Sequence, residues 1–248
     1  MENAVEQQPQ EILPEQDDAV QAEELNKKYL KPRDYIFFSM AQFASSAITG
    51  LVQGYLLFYY TVCVSIDPTA VGTMFLVSKI FDAVIDPSIG IIIDKTRSKW
   101  GKMRPYMIFA SVPWGVLTIA LFLPVTGFNS AGKIAYMWIT YILYCTISSI
   151  VGVPMGGIPA VASPNTQERT KLISISRILG SIGEQSALVL ISFGLLFSNN
   201  YTIVYLLVAI VIGVLGTLFM VLGSLSIKER LAPTVEKLSW WEGFKYLF

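Results

Sequence analysis

Histidine is absent from all 248 residues. That removes the commonest metal ligand and general base, and with it most metalloenzyme and catalytic-triad readings. Charge is scarce too: Asp, Glu, Lys and Arg make up 15% of the chain and cancel to a formal net charge of zero. Without a basic excess, nothing points to nucleic acid as a partner. Cysteine occurs twice, at Cys63 and Cys145, far apart in apolar surroundings, which suits buried free thiols better than a disulfide framework. No reactive thiol setting or nucleophile–base pairing takes shape, so the chain is not expected to be an enzyme.

What is abundant is apolar side chain, 53% of all residues, in long runs after Lys31. Such a composition belongs to polytopic helical membrane proteins. Six stretches are long enough to cross about 30 Å of hydrocarbon: 35–62, 71–93, 106–125, 134–161, 172–197 and 203–225. The first and fourth are the longest, so tilt or breakage is expected there. Gly152, Pro154, Gly156, Gly157 and Pro159 form a breaker cluster expected to kink the fourth. Lys and Arg fall in alternate connections. Lys27, Lys28, Lys31 and Arg33 precede the first span, and the next connection has none. Lys95, Arg97, Lys99, Lys102 and Arg104 follow the second span, and Lys133 alone follows the third. Arg169 and Lys171 come next, then none, then Lys228, Arg230, Lys237 and Lys245. By the positive-inside rule both termini are cytoplasmic and the span count is even. The expected fold is an all-α, multi-pass protein of the cell membrane, with 32–225 as the six-span bundle.

The flanks differ in kind. Residues 2–24 carry eight acids and five glutamines without Lys or Arg, so 1–31 reads as a disordered acidic tail. With neither a basic start nor an apolar core before Leu30, it is no signal peptide. Residues 226–248 turn polar and then amphipathic, with Trp240, Trp241, Phe244 and Tyr246, and read as a cytoplasmic segment near the membrane surface.

Within the second span, Lys79, Asp82 and Asp86 stand three and then four residues apart, one stripe at helical spacing. Each charge costs about 2.5–3.5 kcal/mol at a helix centre in lipid, so the stripe is expected to face a cavity or partners. Two carboxylates one turn apart can supply several oxygens to a hard cation or share a proton; sodium suits the first arrangement, a proton the second. Lys79 balances only one of them. In the first span Gln42, Ser46, Thr49 and Gln53 form a polar face. It suits a hydroxyl-rich ligand, and equally helix packing through small residues. Arg177 and Glu184, seven apart in the fifth span, share a face and read as an ion pair or a substrate contact.

The run Lys79-Ile-Phe-Asp-Ala-Val-Ile-Asp-Pro87, then Gly90 to Asp94, then Arg97-Ser-Lys-Trp-Gly-Lys-Met-Arg-Pro105 resembles the glycoside–pentoside–hexuronide:cation symporters. These are the melibiose permease-like family of the major facilitator superfamily. Phe58-Tyr-Tyr-Thr61, Val71 to Leu76, Tyr141 to Leu143 and Val153-Pro154 extend the likeness over roughly 35–225. It implies one major-facilitator-type bundle of six transmembrane helices, the amino-terminal half of a twelve-span design. The chain would then be a truncated product, or a half that works with a second six-span half. The implied activity is symport of a sugar or glycoside with sodium or a proton, without cofactor, by alternating access between two bundles in a lipid bilayer. A lipid-like or other organic solute, or an inactive or regulatory six-span fragment, are the rival readings.

By the same resemblance, Asp82, Asp86 and Ser149 would bind the coupling cation; an Asn ligand of the family is matched by Ile85, which loses it. Family positions for acids and an aromatic at the sugar fall on Ser46, Gly152 and Gly156, so galactoside recognition is not carried over. Lys79, Ser46, Gln53, Gly152 and Arg177 are the candidate substrate residues. Gly90, Asp94 and Arg97 match a cytoplasmic latch, in which Gly permits close helix approach and an Asp–Arg pair holds the inward side shut.

Overall fold

The computed structural model describes residues 27–96 and 98–230. The acidic tail up to residue 26, Arg97 and the amphipathic segment beyond 230 therefore lie outside the described residues. Within them run six long helices: α1 (Pro32–Phe58), α2 (Pro68–Lys95), α3 (Arg104–Leu121), α4 (Ser130–Ala162), α5 (Thr166–Phe197) and α6 (Tyr201–Ser226). Their starts follow from local chemistry. Pro32, Pro68 and Pro105 sit in first turns, where a missing N–H costs nothing. Asp67, Asn129, Asn165 and Asn200 accept hydrogen bonds from the backbone N–H groups of Thr69, Gly132, Gln167 and Ile203, capping four helices.

α1 ends in a π-helical turn, Tyr59–Cys63, with Tyr59 and Tyr60 buried. Lys133 Nζ donates to the Val64 carbonyl just beyond it, at 2.9 Å. Of the two longest expected spans, the first changes from α- to π-helix at Tyr59 and the fourth stays helical throughout. α4 is continuous through Pro154 and Pro159, because in a water-free environment leaving the helical path would orphan more backbone groups than each proline already frees. α1 with its π turn, α4, α5 and α6 are each long and apolar enough to cross a membrane. α2 carries Lys79, Asp82 and Asp86 in its middle, and α3 opens on Arg104, which lowers the apolar content of both.

α1 is the central post. α5 and α6 pack along it, α3 bridges from α6 to α4, and α2 leans chiefly on α4. Lipid offers no hydrophobic drive between helices, so the contacts rely on close backbone approach at small residues. A Cβ at Gly50 would run into the Glu184 backbone carbonyl, and one at Gly183 into that of Phe43. Ser39 and Ser176 share a buried hydroxyl contact at 3.2 Å across the same α1–α5 seam.

Polar groups tie the helix ends together where α3 and α5 begin. The Glu229 carboxylate, just past α6, accepts the backbone N–H groups of Lys102, Met103 and Arg104 at 2.7–3.0 Å. Arg104 donates back to the Ser224 and Leu225 carbonyls at 2.9 Å, closing the end of α6. Gly101 has φ +104° beside that carboxylate, in the space a side chain would fill. Glu168 is buried and accepts from the Tyr29 and Leu30 backbones and from the Ser163 hydroxyl.

Gly183→Val is expected to cost about 1–3 kcal/mol by overpacking the α1–α5 seam, read as a lowered unfolding midpoint in detergent. Gly54→Val, where a Cβ meets nothing within 4 Å, should stay within about 0.5 kcal/mol.

Candidate functional site

A cavity of about 360 Å³ opens between α1, α2 and α4. α2 contributes Lys79, Asp82 and Asp86, so the charged stripe does face a protein-lined space. α1 adds Thr49 and Gln53, and α4 adds Tyr141, Tyr144, Cys145, Ser148, Ser149, Gly152 and Val153. The stripe is placed by register: α2 runs unbroken from Pro68, and spacings of three and four keep the charges on its flank towards α4.

Lys79 Nζ lies 3.6 Å from Asp82 Oδ2, the acid being 22% exposed and the lysine 67%. Among the described residues Asp86 has no ion-pair partner. Two carboxylates against one ammonium leave the cavity formally anionic. The hydroxyls of Ser148 and Ser149 and the Gln53 amide offer neutral oxygens nearby. No group of three or more His, Cys, Asp or Glu suited to a metal occurs among the described residues. Few acids with neutral oxygens suit a weakly held hard cation, or a proton, better than a transition metal.

The opposite wall is aromatic. The Tyr141 and Tyr144 rings stack with centroids 6.1 Å apart, Phe75 meets Tyr141 edge-on at 5.1 Å, and Trp114 stands 6.2 Å behind Tyr144. Anionic oxygens facing aromatic rings make a chamber able to hold a small polar, hydroxyl-bearing molecule.

Of the candidates, the structure brings Lys79, Asp82, Asp86, Gln53, Ser149 and Gly152 to this one cavity. Ser46 and Arg177 are not among its lining residues. The polar face of α1 is divided. Gln42 and Ser46, 3.5 Å apart, pack where a Cβ at Gly180 of α5 would touch them, while Thr49 and Gln53 reach the cavity. Arg177 and Glu184 are both exposed and form no ion pair with each other. A Cβ at Gly90 would meet no atom within 4 Å, so no helix among the described residues uses the space it leaves. Asp94 is exposed, and Arg97, its latch partner by resemblance, lies outside the described residues.

Reading the sequence for charge missed Tyr141, Tyr144, Cys145 and Ser148. Their signal was present: 141, 145, 148 and 152 recur at four, three and four, one face of α4. It passes unnoticed because tyrosine and cysteine in an apolar run read as core.

A family model described as MFS/sugar transport protein matches residues 37–248. An uncharacterized symporter of Bacillus subtilis is 31% identical, over 89% of this chain and 49% of its own length. The isoprimeverose transporter of Lactiplantibacillus pentosus is 31% identical, over 82% of this chain and 43% of its own. A putative glycoside/cation symporter of Escherichia coli is 28% identical, over 81% and 44%. The chain spans about half the length of the curated relatives it matches.

Gly152 borders the cavity with open space at its Cβ position. Gly152→Leu should fold with an unchanged unfolding midpoint yet slow alkylation of Cys145 several-fold, followed by mass in a Cys63→Ser background. Equal rates would show that the thiol is not reached through this cavity.

Proposed function

The chain belongs to the MFS/sugar transport protein family, and from that premise we propose that it takes part in cation-coupled symport of a sugar or glycoside by alternating access. It is a multi-pass protein of the cell membrane, and its family is one of transporters rather than enzymes. In this proposal all six helices span the bilayer and both termini face the cytoplasm, a reading supported by the alternation of Lys and Arg between connections.

The observation that carries the reading is the shared cavity of Asp82, Asp86 and Ser149 with Gln53 and Lys79. Asp82 and Asp86 hold the coupling ion, sodium or a proton, and Ser149 adds a neutral oxygen. Ion binding neutralises the anionic wall and thereby favours the arrangement that closes on substrate. Lys79 and Gln53 offer donors to substrate hydroxyls, and Gly152 leaves room for the ring. Ser46 and Arg177 do not line this cavity and would meet substrate elsewhere along its path. Gly90, Asp94 and Arg97 serve as the latch, closing against a second six-span half.

A second reading is favoured by one feature. α2 leans mainly on α4 and leaves Ile80, Phe81 and Val84 exposed beside the charged stripe. In that reading the exposed face of α2 is covered by a second six-span half, and the six-span bundle by itself is inactive or regulatory.

Labelled xylosides, glucosides and glucuronides are offered to vesicles carrying the chain, under an imposed sodium or proton gradient. Asp82→Asn is expected to bring gradient-driven accumulation to background at an unchanged membrane level; accumulation that survives overturns the coupling assignment. A chain that accumulates nothing under either gradient supports the need for a second half.

A further inference from the structure

Two clefts on one flank of the bundle lie end to end. The first, about 580 Å³, opens where α1 and α5 begin and is bordered by Lys28, Tyr35, Ile36, Lys171 and Ile175. Lys28 and Lys171 are exposed and form no ion pair among the described residues. Lys171 Nζ stands 5.6 Å over the Tyr35 ring. Glu168 also borders this cleft, its carboxylate held by the Tyr29 and Leu30 backbones and Ser163, so the rim keeps a formal excess of one positive charge. The second cleft, about 700 Å³, is formed by α1, α5 and α6 and is almost wholly apolar, with Phe43, Ala47, Ile182, Val189 and Phe219 in its walls.

One helix face joins them. Lys171, Ile175, Ile178, Ile182, Gln185 and Val189 recur along α5 at four, three, four, three and four residues. On α1, Ile36, Phe43 and Ala47 follow at seven and four. Ile178, Ile182 and Val189 are 64%, 56% and 65% exposed. From Lys171 to Ser181 the helix rises ~15 Å, the hydrocarbon depth of one leaflet.

We infer that this flank binds one anionic phospholipid, its phosphate between Lys28 and Lys171 and an acyl chain along the α5 stripe into the apolar cleft. A basic rim at the interface followed by an apolar channel one leaflet deep matches the two ends of such a lipid. A zwitterionic headgroup carries its own cation beside the phosphate and gains less from the lysines. The inference rests on the membrane location and is independent of transport.

The purified, delipidated full chain is offered equal amounts of phosphatidylglycerol and phosphatidylcholine with matched acyl chains, and bound lipid is counted by native mass spectrometry. The phosphatidylglycerol adduct is expected to exceed the other about tenfold, given two lysines near the headgroup. Lys28→Ala with Lys171→Ala should bring the ratio to within about twofold, and Lys28→Arg with Lys171→Arg should keep it. Ile182→Trp, filling the channel, should lower occupancy by both lipids while sparing the preference. Helical content by circular dichroism checks that each variant folds. Equal binding of the two lipids, a preference that survives the double alanine change, or displacement of the lipid by inorganic phosphate alone overturns the inference; the last assigns the basic cleft to a free anion.

Discussion

Between helices in lipid the solvent pushes nothing together, so adhesion depends on how closely two backbones can approach. The seam between α1 and α5 is where this chain meets that condition. Gly50 and Gly183 each lie against the partner helix's main chain, and Ser39 and Ser176 bond across the gap. With α5 and α6 held to α1, α3 is fixed through α6, and α4 through α3. α2 comes last and has the least support, leaning on α4.

The cavity follows from that order. Because α2 meets α1 only weakly, a space remains between them, floored by α4, and the charged stripe turns into it. The same stripe facing acyl chains would cost several kcal/mol. Apolar walls alone would not keep the acids there. Lys79 offsets one charge, and hydroxyl and amide groups from α1 and α4 surround the rest. The helix that carries the ionisable groups thus has few fixed neighbours, and its position depends on few other contacts.

At the helix ends the logic changes from packing to hydrogen bonding. Glu229 and Arg104 exchange bonds between the start of α3 and the end of α6, and Glu168 gathers the chain leading into α1. Glu168 forms no ion pair with Lys28 or Lys171, yet it borders the same cleft, so two lysines and one carboxylate leave the flank of α1 and α5 with a formal excess of one positive charge.

Most of the helix placement was legible in the residues. Runs of apolar side chain broken at Asp67, by the charged stretch 95–104, and at Asn129, Asn165 and Asn200 mark six helices, and spacings of three and four put Lys79, Asp82 and Asp86 on one stripe. What one helix's periodicity cannot say is which neighbour each part of its face will meet. The polar face of α1 is a single stripe in sequence, yet Ser46 packs on α5 while Thr49 and Gln53 open to the cavity. Gly90 reads as a close-approach position, and no described helix comes near it. Tyr141, Cys145 and Ser148 look like core until α2 is set opposite them. The sequence alone determined the helices, the stripe of charge and the membrane as solvent, because those depend on local spacing and on the cost of charge in lipid. Only the tertiary structure decided which side chains share a cavity, because that depends on crossing and depth between helices distant in the chain.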